Sequence, residues 1–209
     1  MAPIIADRRA ATCAVIILAA GGSRRLGRPK QLVHRGAHSL VVRAVDAALG
    51  LAPLWVGVVV GASASRVAAE LRGRPVQIVQ ARRWRDGLSM SLRAGLARVP
   101  RSATHVLVMT IDQWAIRGED LRRLLASRGR VPLAAGYAGR AGVPAVFPKR
   151  WWRALAALQG DRGARQLLDD PRVRRVPLPA AEADLDTLEE LRFLKTVGHR
   201  PLPVRSDSM

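Results

Sequence analysis

Ala19-Ala20-Gly21-Gly22 sets four very small residues in a row, and Ser23, Arg25 and Lys30 follow close behind. Side chains this small let backbone N–H groups approach an anion, while a guanidinium and an ammonium supply the positive charge that phosphate oxygens take up. The chemistry open to such a segment is to seat the phosphates of a nucleotide. The β-branched run before it, Val15-Ile16-Ile17 and then Leu18, has the length of a strand, so the loop follows a first buried strand. Two familiar phosphate loops do not account for it. G-x-G-x-x-G is absent, and although Gly22 and Gly27 have the Walker spacing, Arg28 and Pro29 stand where Lys and Ser/Thr are required.

A phosphate loop needs a scaffold, and the rest of the chain supplies the pattern of one. Short β-branched runs alternate with Ala- and Arg-rich segments of helical period, which is how βαβ units and a mostly parallel sheet read. Strands are predicted at 14–18, 55–60, 76–79, 105–109, 131–135, 143–147 and 173–176. Helices are predicted at 40–49, 65–71, 89–97, 119–126, 150–158, 164–168 and 188–193. The fold class is α/β, a single Rossmann-like three-layer domain over 13–197, with flexible segments expected at 1–12 and 198–209.

In an open parallel sheet, ligands gather at the carboxyl ends of the strands. The fourth predicted strand ends in Met109-Thr110-Ile111-Asp112-Gln113, which puts a carboxylate opposite the phosphate loop. Mg²⁺ takes one or two protein carboxylates and fills its other sites with water and phosphate oxygens, so Asp112 is a candidate ligand. A turn or helix cap before Glu119 is the plainer role for it. In Asp184-Leu185-Asp186, alternation along extended chain turns both carboxylates to one side. Thr187-x-x-Glu190 forms a capping box that starts the last helix, and a helix N-terminus alone would also favour these acids.

Composition narrows the classes. With 209 residues, 49% of them hydrophobic, the chain can bury a full core in one domain. No apolar run reaches the roughly 18 residues of a membrane span. Cys13 is the single cysteine, which excludes a disulfide framework and a cysteine zinc site and fits a reducing cytoplasm. The net charge of +19 comes almost wholly from arginine, since only Lys30, Lys149 and Lys195 are lysines among 35 basic residues. Such a field draws in anionic nucleotides. With no zinc finger, no aromatic RNP-like pattern and scattered tryptophans, specific nucleic-acid binding is not expected. His34, His38, His105 and His199 lack ligand spacing and no Ser-His-Asp set is needed. Arg8-Arg9 before the apolar segment 13–20 has the outline of a short secretory or twin-arginine leader, but a cleaved leader has no use for Arg25 and Lys30.

Leu18 to Lys30 carries L-A-A-G-x-S-x-R-M-G-x-x-K with Leu26 in place of Met. This resembles the signature of nucleotidyltransferases that activate a phosphorylated acceptor with an NTP, especially the molybdenum cofactor cytidylyltransferase-like (MobA-like NTP transferase) family. Asp112-Gln113 resembles the start of the family's D-Q-P-L, with Trp114 and Ala115 replacing its last two residues, and Asp184 to Leu191 its D-I-D-T-P-E-D-L. Trp84 to Leu96 looks like its G-x-x-x-S-L-x-x-G-L helix entry, Gly142 to Phe147 resembles its G-x-P-x-x-F, and Gly160 to Arg165 its G-D-x-G-A-R.

The resemblance runs from residue 15 to 194 and implies a nucleotide-diphospho-sugar transferase-like fold. It implies nucleotide contacts from Leu18, Ala19, Ala20, Gly21, Gly22 and Ser23, with Gly87 and Ser91 on the base side. It implies catalytic roles for Arg25, Lys30 and Asp112, and a metal site of Asp112 with an aspartate of the second cluster, Asp186 in preference to Asp184. Gly142 and Pro144 are implied on the acceptor side. The implied reaction is attack by an acceptor phosphate on the α-phosphorus of an NTP, releasing pyrophosphate, with Mg²⁺ as cofactor. CTP is the implied donor, or GTP, and molybdopterin the implied acceptor, with a molybdoenzyme receiving the cofactor as a partner. A sugar phosphate acceptor is the nearest rival. A nucleotide- or cofactor-binding chaperone without catalysis is the rival from another class, and Trp114 is the departure that favours it.

Overall fold

Every residue of β1 (Cys13–Ala19) is buried, as expected of an all-apolar strand with partners on both edges and helices on both faces. The computed structural model describes residues 12–160 and 167–197. In chain order the further strands are β2 (His34–Arg35), β3 (His38–Ser39), β4 (Trp55–Val60), β5 (Gln77–Gln80), β6 (His105–Thr110), β7 (Leu133–Tyr137), β8 (Arg140–Pro148) and β9 (Arg174–Pro177). The helices are α1 (Leu40–Leu49), α2 (Ala64–Glu70), α3 (Leu88–Leu96), α4 (Gly118–Ala126), α5 (Trp152–Ala157) and α6 (Leu188–Val197).

Seven strands form one sheet in the order β5-β4-β1-β6-β8-β7-β9, and β2 pairs with β3 in a small separate ribbon. β1 lies parallel between β4 and β6, with Ile16 opposite Gly57 and Val108. β8 alone runs against the rest, antiparallel to both β6 and β7. Its reversal is local: Ala138 at φ 46° and Gly139 at φ 72° are both left-handed, the requirement of a two-residue primed turn. A loop this short can only join antiparallel strands.

Alternation along β1 sends its two sets of side chains into two cores. Val15, Ile17 and Ala19 pack with Val41, Val45, Val67 and Leu121 from α1, α2 and α4. Ile16, Leu18 and Ala20 pack with Leu92 of α3 and Leu155 of α5 on the other face. The result is the three-layer α/β arrangement that the sequence pattern predicts, with the loop after β1 leaving the sheet at its carboxyl edge.

All seven predicted strands are present, each within a few residues, and α1 and β4 have the predicted limits. The segment predicted as one helix at 150–158 opens with a 3₁₀ turn, Lys149–Trp151, before α5. Of the helix predicted at 164–168, residues 164–166 lie outside the described residues, as do 1–11 and 198–209.

Candidate active site

The loop after β1 is fixed by what its carbonyls meet. Ala20 O accepts a hydrogen bond from Ala62 N–H at 3.1 Å. Ala19 O and Gly21 O each accept from Nε2 of Gln31 at 2.8 Å. Ser23, at φ 50°, turns the chain back, and its Oγ accepts from Lys30 N–H at 3.0 Å. The loop and the 3₁₀ turn Lys30–Leu32 are therefore one folded unit.

Beside it opens a cleft of about 290 Å³. Leu18, Ala19, Ala20, Gly21, Gly22 and Lys30 line one side and Asp112 closes the end of β6. Gly87 and Ser91 lie on the opposite wall, where the resemblance implies a base. Ser23 supports the loop without lining the cleft. Seven further residues line the cleft that sequence reasoning did not assign to the site: Arg24, Gln31, Trp84, Arg85, Leu88, Thr110 and Ile111. The Arg85 guanidinium stacks 4.5 Å from the centroid of the Trp84 ring.

At the mouth, three distant segments meet through charge. Lys30 Nζ donates to Asp112 Oδ2 at 2.6 Å and to Asp186 Oδ1 at 3.0 Å. Arg25 Nη2 donates to Asp186 Oδ2 at 2.6 Å. The Arg25 side chain is 74% exposed, so Arg25 holds the carboxylate while its neighbour Arg24 reaches the cleft wall. Arg25, read from the sequence as a phosphate contact, thus meets Asp186 in this structure and does not itself line the cleft. Burial works against the Lys30 ammonium, but Asp112 and Asp186 outweigh it and hold its pKa above the ordinary lysine value. Burial likewise pushes the Asp186 carboxyl up, and Lys30 and Arg25 more than offset it, so its pKa lies below the ordinary carboxylate value.

Asp184 stays out of these bonds and feels them from outside. Partial burial, then the charges of Asp112, Asp186 and Glu190, raise its pKa. A raised carboxyl contributes stability below its unfolded pKa of about 3.8 and loses it as pH climbs through the folded value. Asp184→Asn is thus expected to raise Tm at pH 7 by about 1–2 °C, the gain disappearing below pH 3.8. A thermal melt at several pH values checks this.

The capping box of α6 forms as predicted. Glu190 Oε2 accepts from the N–H groups of Asp186 and Thr187 at 2.7 Å each, and Thr187 Oγ1 accepts from Glu190 N–H at 3.2 Å. Thr187 and Glu190 do the capping, which leaves the Asp186 carboxylate for Lys30 and Arg25. Among the described residues no three His, Cys, Asp or Glu side chains form a ligating group. Asp112 and Asp186 still suit a hard divalent cation: both are oxygen donors, and they already hold a positive group between them.

Gly142 and Pro144, on β8, do not line this cleft, and Gly142 faces the Tyr137 ring. Gln113 connects that strand to the site, its Nε2 donating to Val143 O at 2.7 Å and Ala181 O at 2.8 Å. Trp114, where the family pattern has proline, is 5% exposed and packs with Leu26, Val33, Leu40, Leu185 and Leu191. It braces the segments that carry Asp112 and Asp186 against each other rather than entering the cleft.

Gly87 sits at φ 111°, ψ 170° between the 3₁₀ turn Trp84–Asp86 and α3. Any side chain there is strained whatever the space, so a bulky replacement would disturb the turn as well as the wall. Ser91, 3% exposed on the helical side of the same wall, gives the cleaner probe. Ser91→Val is expected to raise KM for the preferred nucleotide several-fold while kcat changes less than twofold, the pattern of lost ground-state binding.

A mostly parallel sheet with a small-residue loop at the carboxyl end of its central strand, and lysine and carboxylates at the mouth of the cleft, is the arrangement of an α/β nucleotidyltransferase. Residues 15–176 match the MobA-like NTP transferase domain, and the chain belongs to that family. The bifunctional protein GlmU of Xanthomonas campestris pv. campestris strain 8004 is 34% identical over 131 residues, 61% of this chain, and the chain spans 29% of that protein's length. Among solved structures, Rv0371c from Mycobacterium tuberculosis H37Rv is 30% identical with a TM-score of 0.78, covering 88% of this chain and 98% of that one. The manganese complex of Rv0371c gives 28% identity and a TM-score of 0.75, covering 88% and 97%.

Proposed function

We propose that this chain transfers a nucleoside monophosphate from a Mg²⁺-bound NTP to a phosphorylated acceptor and releases pyrophosphate. One observation carries the proposal: the Lys30 ammonium lies between Asp112 and Asp186 at the mouth of a cleft walled by the loop at 18–22. The chain's own work in such a reaction is positioning and charge. The loop seats the phosphates, while Lys30 and Arg24 stabilise the charge that grows on the departing pyrophosphate. Trp84, Gly87 and Ser91 shape the wall for the base. Asp112 and Asp186 would hold the divalent cation, whose part is to neutralise phosphate charge. That the similar Rv0371c forms a complex with manganese supports a divalent cation as part of the reading.

The donor proposed is CTP, with GTP second, and the acceptor molybdopterin, with a molybdoenzyme as the recipient of the product. These follow from the motif resemblance at Leu18 to Lys30 and Asp184 to Leu191. A cytoplasmic setting accords with the lone Cys13, whose thiol burial pushes up to about 12, and no described helix is long and apolar enough to cross a membrane. The deciding assay is pyrophosphate release from each of the four NTPs with Mg²⁺ and candidate acceptors, molybdopterin and sugar phosphates included. Metal-dependent release favouring CTP is expected. Tight nucleotide binding with no release for any pair would leave a binding protein as the better description.

A further inference from the structure

Gln31 follows Lys30, yet the reaction proposed above asks nothing of a neutral amide at that place. The side chain is 1% exposed and donates from Nε2 to Ala19 O and to Gly21 O, each at 2.8 Å. With Ala62 N–H on Ala20 O, three successive loop carbonyls are turned inward and satisfied. The matching donors are not: among the described residues, no hydrogen bond is made by the N–H groups of Gly21, Gly22 or Ser23. A loop whose carbonyls are all held back and whose amides stay open is set to receive an anion.

We propose that Gln31 is the positioning residue of the phosphate loop: its carboxamide holds the Ala19 and Gly21 carbonyls inward and so keeps the loop amides facing the nucleotide's phosphates. The inference rests on the nucleotide assignment of the cleft. Only an amide of this length does the task. Both donating hydrogens are used, while Oε1 is buried with no hydrogen-bond partner, so the donor edge is what the position selects. Glutamate would set a negative charge against two carbonyl oxygens. Methionine would fill the space and donate nothing, leaving two buried acceptors unpaired and the loop peptides free to flip a carbonyl toward the phosphates. The same turn ties its neighbour in, since Lys30 N–H is bound to Ser23 Oγ.

The test separates phosphate binding from base binding. Gln31→Glu and the near-isosteric Gln31→Met are compared with wild type by calorimetric titration of CTP, GTP, inorganic pyrophosphate and the unphosphorylated nucleosides, beside Tm, KM and kcat. Affinity for pyrophosphate and for the triphosphates is expected to fall about tenfold or more, while nucleoside affinity stays within twofold. Equal losses for nucleoside and triphosphate, or no loss at all, would overturn the role. A wild-type measurement guards against variants that fail to fold. In ¹H–¹⁵N spectra, pyrophosphate should shift the amides of Gly21, Gly22 and Ser23 most, and unmoved amides would overturn the proposal. If wild-type protein binds neither triphosphate nor pyrophosphate, the cleft assignment itself fails. If it binds both and the variants match it, only Gln31 loses its role.

Discussion

Lys30→Met is expected to act in opposite directions on two measurements: turnover falls by about 10²–10³-fold, and divalent cation binds the nucleotide-free protein more tightly. The first effect follows from removing a charge aimed at the departing pyrophosphate. The second follows from where the ammonium rests. With Nζ 2.6 Å from Asp112 and 3.0 Å from Asp186, Lys30 occupies the space between the two carboxylates best suited to a cation. A metal entering the free protein must displace it, whereas phosphates entering with the metal offer the ammonium a new partner. Manganese titration followed by electron paramagnetic resonance reads this directly. Wild type should bind Mn²⁺ more tightly with a non-hydrolysable NTP than without, and the variant should gain about tenfold in the nucleotide-free state. A variant that loses manganese affinity together with turnover would show that Lys30 organises the carboxylates instead of competing for them. Stability changes too. The raised Lys30 pKa marks a contribution present below the ordinary lysine value of 10.5 and lost only as pH rises through the folded value above it. Lys30→Met should therefore lower Tm at neutral pH, with the difference from wild type narrowing under alkaline conditions.

What could be read from the sequence was local. β4 and α1 were bounded by their own periodicity and turn residues, and the Thr187-x-x-Glu190 box needs only four residues to form. The segment that walls the cleft was legible because small residues, a hydroxyl and two cationic residues stand close together in the chain. The contacts that define the site are not local. Lys30 reaches Asp112 across 82 positions and Asp186 across 156, and no periodicity encodes such a meeting. That Arg24 lines the cleft while Arg25 pairs with Asp186 is likewise unreadable from two adjacent residues of the same type. Gln31 gave no signal either, because its partners are backbone carbonyls, identical in every residue. The β2–β3 ribbon escaped notice at two residues a strand. The place of Trp114 was not legible either: the sequence shows only that it departs from the motif, and folded it packs against Leu26, Leu185 and Leu191.

Asp112→Asn is expected to cost at least as much turnover as the loss of Lys30, with no compensating gain. An amide keeps the size of the side chain at the end of β6, so the fold should survive. It removes the negative charge that a hard cation selects and that the Lys30 ammonium meets at 2.6 Å. Cation affinity should fall with and without nucleotide, and turnover by about 10³-fold. Asp186→Asn should follow the same direction, since its carboxylate takes both Lys30 and Arg25. A helix-capping role does not explain such an effect, because Glu190 and Thr187 already cap α6. Stability again shows the sign. Asp186, with its pKa depressed, contributes stability above the ordinary carboxylate value that is lost as pH falls through the folded value. Asp186→Asn should lower Tm at pH 7 and converge on wild type in acid, the reverse of Asp184→Asn. Measuring turnover, manganese affinity and Tm on all three variants assigns each carboxylate by its own pattern. Wild-type turnover in Asp112→Asn would remove the metal-assisted transfer altogether, because no other carboxylate among the described residues faces Lys30 from the end of β6.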